Sequence, residues 1–381
     1  MSLKNKSIGL ALLGALLALT SCRDLALDPV FYALSQEQPL GDDRGFPDAV
    51  TVHRMVKIGT RYFAAANTLY TRTDGPTDTW SAVAPPADAG LCNGVEVFLG
   101  DLYARFATGA GAGLYRSAPD PISWVKIDDL GSGSYAQVTM LRATSLGTPT
   151  LFVATWDVAL AQFALSFSTS GDSGSYTVVS GGGWPATVSL SIVDVESDGN
   201  YYWVIVGNSL YRDDVAAGVQ GSTFFSLLAP PDPDSGTVYF GGLLYDSSVP
   251  RLYLSAGNGY LHSSTDRGDT WTSSALQRDA EDNDVVVPFT AFVLPLSDGS
   301  PANTVYVGTQ GQGYYRIPGG DVAGALTRQP SYNITDLYSG ALNCLFFDSA
   351  NAMLFLCTNG SGLWRGSDFS STVTAWTWKQ E

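Results

Sequence analysis

The chain predicts an all-β fold made of repeated four-stranded units, on three observations. A short apolar–aromatic–arginine phrase recurs along it, each copy follows an alternating apolar run closed by Gly or Asn, and no stretch sustains a helical period. The copies are Leu69-Tyr70-Thr71-Arg72, Leu114-Tyr115-Arg116-Ser117, Leu210-Tyr211-Arg212-Asp213, Tyr314-Tyr315-Arg316 and Leu363-Trp364-Arg365. Tyr260-Leu261-His262 and the looser Leu165-Ser166-Phe167-Ser168 fill the gaps in the series. Successive copies lie roughly 45–55 residues apart, which is the blade period of a propeller.

Taken in order, the runs 61–66, 202–206 and 252–256 read as strands, and Asn67, Gly113, Gly207, Gly257, Gly313 and Asn359 as the turns that join such strands to the phrase. Shortly after the phrase a further strand ends in an aromatic: Trp80, Trp124, Tyr176, Trp271 and Trp376. One such sheet cannot bury both faces alone, so the units stack radially around an axis. They begin near Ala49, Cys92, Tyr135, Thr187, Gly236, Val287 and Thr335. The expectation is a seven-bladed β-propeller of four-stranded antiparallel blades over residues 49–381.

Residues 264–271 read Ser-Thr-Asp-Arg-Gly-Asp-Thr-Trp, a full match to S-x-D-x-G-x-T-W, the Asp-box. Ser264, Asp266 and Thr270 carry side chains that bond nearby backbone, Gly268 admits a positive φ, and Trp271 fills the wedge between neighbouring blades. Decayed copies stand at 73–80, at 117–124 with Pro119 and Pro121 inserted, and at Ser170-Gly171-Asp172-Ser173-Gly174. With these boxes the chain resembles Asp-box (BNR-type) propellers: sialidases, xyloglucanases and the photosystem II assembly factor. In those families the loop is structural and lies on the ring's outer side. Tyr315-Arg316-Ile317-Pro318 also resembles the sialidase signature whose arginine grips a carboxylate. Here Arg316 shares its slot with Arg72, Arg116, Arg212 and Arg365, and it falls in the sixth unit rather than at the start. The other members of a sialidase site do not assemble. The resemblance covers binding scaffolds and enzymes alike, so fold does not choose between them, and no catalytic residue is assigned.

Residues 1–21 read as a leader, with Lys4 and Lys6 ahead of an apolar run from Ile8 to Leu19 that is too short to span a bilayer. It closes on Leu19-Thr20-Ser21-Cys22, which resembles the lipobox of bacterial lipoproteins. That resemblance implies cleavage before Cys22, lipid on its sulfur, and an address in the cell envelope. Residues 22–48 read as a tether; its one apolar patch, 30–34, either adds a ring-closing strand or rests on the surface.

The formal net charge is −16, and loss of Lys4 and Lys6 with the leader makes it −18, so nucleic acid and anionic lipid are poor partners and none is expected. Membrane contact is expected only through the lipid. The acidic run 279–284 lacks the spacing of a calcium loop, and no motif in the chain requires a metal or another cofactor. Cys344 and Cys357 lie on opposite arms of a hairpin turning near Ala350-Asn351, and form either a disulfide or two small buried hydrophobes. The repeated aromatics Tyr70, Tyr115, Tyr211, Tyr260, Tyr315 and Trp364 read as packing between blades rather than a sugar platform. Loops at 145–149, 161–174, 213–222 and 279–286 are candidate contact loops. The function expected is a non-enzymatic scaffold for an envelope protein or a glycan. The alternative is a glycoside hydrolase or lyase with acids in the central pocket.

Overall fold

Among the described residues the strands gather into seven four-stranded antiparallel sheets, each a meander in sequence order. They belong to a computed structural model that describes residues 44–75, 77–130, 136–180, 183–185, 187–214, 225–226, 239–257, 259–275, 293–296, 304–309, 314–317, 327–328, 341–367 and 377–381. The leader, Cys22, the 30–34 segment, Pro318, Trp376 and the 279–286 loop lie outside these residues. The first strands of the sheets are Arg54–Ile58, Cys92–Phe98, Ala136–Thr144, Ile192–Ser197, Phe240–Asp246, Val293–Leu296 and Leu342–Asp348, close to the seven starts expected from the repeat. Sheets are called blades 1 to 7 in this order. Each first strand lies against the first strand of the next blade, and that of blade 7 lies against that of blade 1. The fold is therefore a β-propeller with four-stranded antiparallel blades.

Packing explains the sequence pattern. Second strands such as Tyr201–Val206, Arg251–Ala256 and Met353–Thr358 are buried at every position after the first. Alternation here separates two neighbouring blades, not core from solvent. Tyr202 packs toward blade 3, while Trp203 packs toward blade 5. Each hydrophobic cluster draws on two consecutive blades, so apolar burial is spread around the ring. A fully buried ring such as Phe63 stabilises its interface by about 1.5–3 kcal/mol.

Asp43–Glu381 is one compact unit, and packing begins ahead of residue 49. Phe46 sits edge-on to Trp80 in the interface of blades 7 and 1. The same interface holds two charged clasps. In one, the Glu381 carboxylate meets Arg365 Nε at 2.6 Å, Arg72 Nη2 at 3.2 Å and Arg44 Nε at 4.0 Å, and accepts from Trp80 Nε1 at 2.9 Å. In the other, Lys57 Nζ lies 2.7 Å from both Asp74 and Asp348, which also accept from Tyr62 and Asn351.

Cross-strand register corrects three readings. Arg116, Arg212, Arg316 and Arg365 stand opposite Tyr103, Trp203, Tyr306 and Phe355, one column of the repeat, whereas Arg72 stands opposite Tyr62, one column later. A one-residue shift reverses the face, so Arg72 points back toward blade 7. His262, opposite Leu254, takes the place of the repeated aromatic; Ser263 holds the arginine column. Trp80, Trp124, Tyr176 and Trp271 stand immediately before the fourth strands (Ser81–Ala82, Val125–Ile127, Thr177–Val178, Thr272–Ala275) rather than at their ends. The first half of the 161–174 stretch is the strand Gln162–Ser168 and only the remainder is loop, and 145–149 is the turn between the first two strands of blade 3.

Candidate functional site

The Asp-box loop is closed by its own side chains. Ser264 Oγ accepts from Gly268 N at 2.7 Å and donates to Asp266 Oδ1 at 2.8 Å. Asp266 accepts from Thr270 N at 2.8 Å and from Thr270 Oγ1 at 2.6 Å. Partial burial pushes the Asp266 carboxyl up, but these bonds outweigh it and hold it below the usual range. Gly268 has the positive φ expected of it, +93°, and Trp271 Nε1 donates to Gly268 O at 3.0 Å. In blade 3 the register differs from the sequence reading. Ser168, opposite Leu151 as Ser264 is opposite Leu252, accepts from Gly171 N at 2.8 Å and takes the anchoring part expected of Ser170. Gly174 takes φ +78° in that loop. Asp172 turns outward to Arg116, whose hydrogen bond lowers its carboxyl below the ordinary value.

Two of the repeat arginines reach the box of the following blade. Arg116 of blade 2 binds Asp172 of blade 3, and Arg212 of blade 4 binds Asp269 of blade 5 at 2.8 Å and Arg267 O at 2.9 Å. Between blades 1 and 2 the role falls to Arg61, 3.0 Å from Asp120 in the proline-bearing copy. The box and the arginine are thus two halves of an inter-blade clamp. The third-strand aromatics are equally committed: Tyr115, Tyr315 and Trp364 are buried, and Tyr70, Tyr211 and Tyr260 pack against the blade interfaces.

On the first strands, charges alternate around the ring's interior. Arg54 Nη2 lies 2.6 Å from Glu96; Arg142 lies 3.4 Å from Asp194 and 3.0 Å from Glu196. Asp194 also accepts from Leu243 N of blade 5 at 3.0 Å, and Glu196 from Ser197 N at 3.0 Å. Burial raises Glu196, with Arg142 opposing, while the three surrounding carboxylates raise Arg142 against its own burial. These acids are ion-paired to arginines of neighbouring blades. Among the described residues no cluster of His, Cys, Asp or Glu is arranged to hold a metal.

What the interior withholds from solvent, one edge offers. Among the described residues seven large apolar side chains are exposed, and five share the edge where first strands begin and second strands turn into third strands. Leu91, Leu190 and Tyr239 precede the first strands of blades 2, 4 and 5; Val158 and Leu160 form the turn after Asp157 in blade 3. Their exposure runs from 39% at Leu190 to 64% at Leu160. No sequence motif marks these residues, which are found only when the meander brings distant turns to one rim.

Cys344 lies directly opposite Cys357, both buried and both free thiols. The hydrogen bond from Cys357 draws the Cys344 thiol down to about 7, and burial pushes Cys357 well up. Cys92, buried alone, is pushed up to about 12.

No protein-family model matches the chain, and no curated protein matches it. Solved structures do. The extracellular domain of a putative one-component system from B. thetaiotaomicron is similar at TM-score 0.60 and 15% identity, over 86% of this chain and 40% of that one. The extracellular domain of a putative hybrid two-component system from the same organism is similar at 0.58 and 13%, over 86% and 41%. YCF48 from Cyanidioschyzon merolae is similar at 0.52 and 14%, over 83% and 95%. The chain spans about two fifths of each sensor domain. At these identities the likeness is one of fold: a β-propeller. Among the described residues no helix is long and apolar enough to cross a membrane.

Proposed function

We propose that the protein is a lipid-anchored envelope propeller that serves as a non-enzymatic docking scaffold, its ring of seven blades presenting one rim to a protein partner. The rim's five exposed apolar side chains carry this reading. Four of them are aliphatic, which suits the apolar side chains of a protein better than a sugar, and the aromatics that would stack on a glycan are packed between blades. The enzyme alternative would draw on Glu96, Asp194 and Glu196, and their ion pairs leave them engaged in holding neighbouring blades. An extracellular propeller in sensor proteins and the propeller of YCF48 are compatible with a binding role. Anchoring rests on the sequence 1–22 alone, and equal palmitate labelling of wild type and Cys22→Ala would remove it.

The test of docking is affinity capture from envelope with wild type, a Val158→Asp/Leu160→Asp rim variant, and Val125→Asp, whose exposed valine lies on an outer strand. A partner held by wild type and Val125→Asp and released by the rim variant is expected. A partner retained by all three, or glycan-array binding with no co-purifying protein, overturns the reading.

A further inference from the structure

Opposite the leucine of each third-strand phrase, or Tyr314 in blade 6, the blades carry Ala65, Arg105, Ala154, Ile205, Ser255, Gly308 and Cys357. Six of these are uncharged and mostly small, as a position facing the next blade requires. Blade 2 alone places a guanidinium there. Arg105 Nε donates to Asn93 Oδ1 at 2.6 Å, Nη2 to Asn93 O at 2.9 Å, and Nη1 to Thr139 O of blade 3. All three acceptors are neutral. No ion pair to a carboxylate forms among the described residues, although acids outnumber bases in the chain by 36 to 20. Burial, joined by repulsion from Arg54 and opposed by Cys92, pulls the guanidinium down to about 10. A partly buried cation with no carboxylate partner is costly, and repeat proteins break their own pattern at such cost chiefly where a site demands it.

The guanidinium borders a cavity of about 260 Å³ between blades 2 and 3, open on the rim edge. Its lining adds Asn93, Phe106, Gln137 and Thr139, and no acidic side chain. A guanidinium has five N–H donors. Three are used, which leaves one on each terminal nitrogen, the spacing that two carboxylate oxygens accept together. Gln137 and Asn93 supply neutral donors and acceptors for the rest of a small ligand, and Phe106 an apolar wall.

We infer that this cavity is a binding site for a small organic acid, whose carboxylate is held by the free edge of Arg105. The volume falls just under the ~300 Å³ at which ligand pockets begin, so the occupant is a compact acid of acetate to succinate size. The site is separate from protein docking on the rim and stands or falls without it.

The test is calorimetric titration of the full-length protein with acetate, pyruvate and succinate, with acetamide and inorganic phosphate as comparators. At least one acid is expected to bind saturably, with acetamide and phosphate inert. Arg105→Gln, which removes an unpaired charge and so is expected to fold, should bind at least about tenfold more weakly. Arg105→Lys, which keeps the charge without the fork, provides a second readout and should also bind more weakly. Val158→Asp/Leu160→Asp should bind as wild type does, which separates this site from the docking rim. No binding by any acid, equal binding of acetamide, binding of phosphate alone, or unchanged affinity in both Arg105 variants overturns the inference.

Discussion

Glu381→Ala should loosen the closure of the ring more than any other single carboxylate change. The side chain is fully screened from solvent, with Arg365 at 2.6 Å, Arg72 at 3.2 Å, Arg44 at 4.0 Å and the Trp80 indole at 2.9 Å. Arg72 and Arg365 approach from opposite blades, which is why the one-column register difference between them matters. The arginine contacts are short but not aligned as hydrogen bonds, so Coulomb attraction carries them. Burial and the neighbouring Arg44 already pull Arg72 below its ordinary value, with Glu381 opposing. Removing the carboxylate they share leaves buried guanidinium groups facing each other, a defect of about 3–5 kcal/mol. For a unit of this length that lowers Tm by roughly 4–7 °C. Thermal unfolding followed by near-UV circular dichroism measures it, at low salt and again in 0.5 M NaCl. A buried pair is poorly screened, so wild-type stability should barely respond to salt. A Tm change under about 1 °C would refute the clasp, and a wild-type Tm that drops steeply with salt would show that the charges are solvated.

The second clasp gives a pH signature. Burial raises Asp74 and Asp348, but hydrogen bonds from Lys57, Tyr62 and Asn351 bring both below the ordinary value. A depressed carboxyl contributes stability that is full above its unfolded pKa and lost as pH falls through the folded one, so Tm should hold from pH 7 to about 5 and fall below about 4. Lys57→Met should flatten that acid limb; an unchanged slope would mean other carboxylates set it. Gly268→Ala, at φ +93° in the closed Asp-box, should cost about 1–2 kcal/mol by chemical denaturation, and no change would remove the loop from the list of structural clamps. Mild oxidation should join Cys344 to Cys357, since antiparallel partners bring their Cα atoms to about 4.5–5.5 Å. Peptide mapping without reductant that finds both thiols free after diamide would count against the bond.

Much of the architecture was legible because it repeats. Seven copies of a phrase, six of them behind a Gly- or Asn-bounded turn, set the strand order and the approximate starts of the blades, and Cys344 facing Cys357 followed from a single turn. The errors were errors of one or two residues. Arg72 and His262 align with their neighbours by eye, yet the pleat puts them on other columns, and Ser170-x-Asp172-x-Gly174 has motif spacing while Ser168 occupies the motif's place. Letters record spacing along the chain, and a β-strand exchanges faces at every residue.

The sequence by itself determined that the chain builds four-stranded units and that arginines and boxes belong to the repeat, because periodicity is a local property. Only the tertiary structure decided what those residues touch. It set the boxes against arginines of the preceding blade, spent the interior acids on Arg54 and Arg142, and gathered Leu91, Val158, Leu160, Leu190 and Tyr239 onto one rim. It also left Arg105 without a counter-ion among the described residues. These pairings join turns from different blades, and the register that brings them together is fixed by packing across the ring.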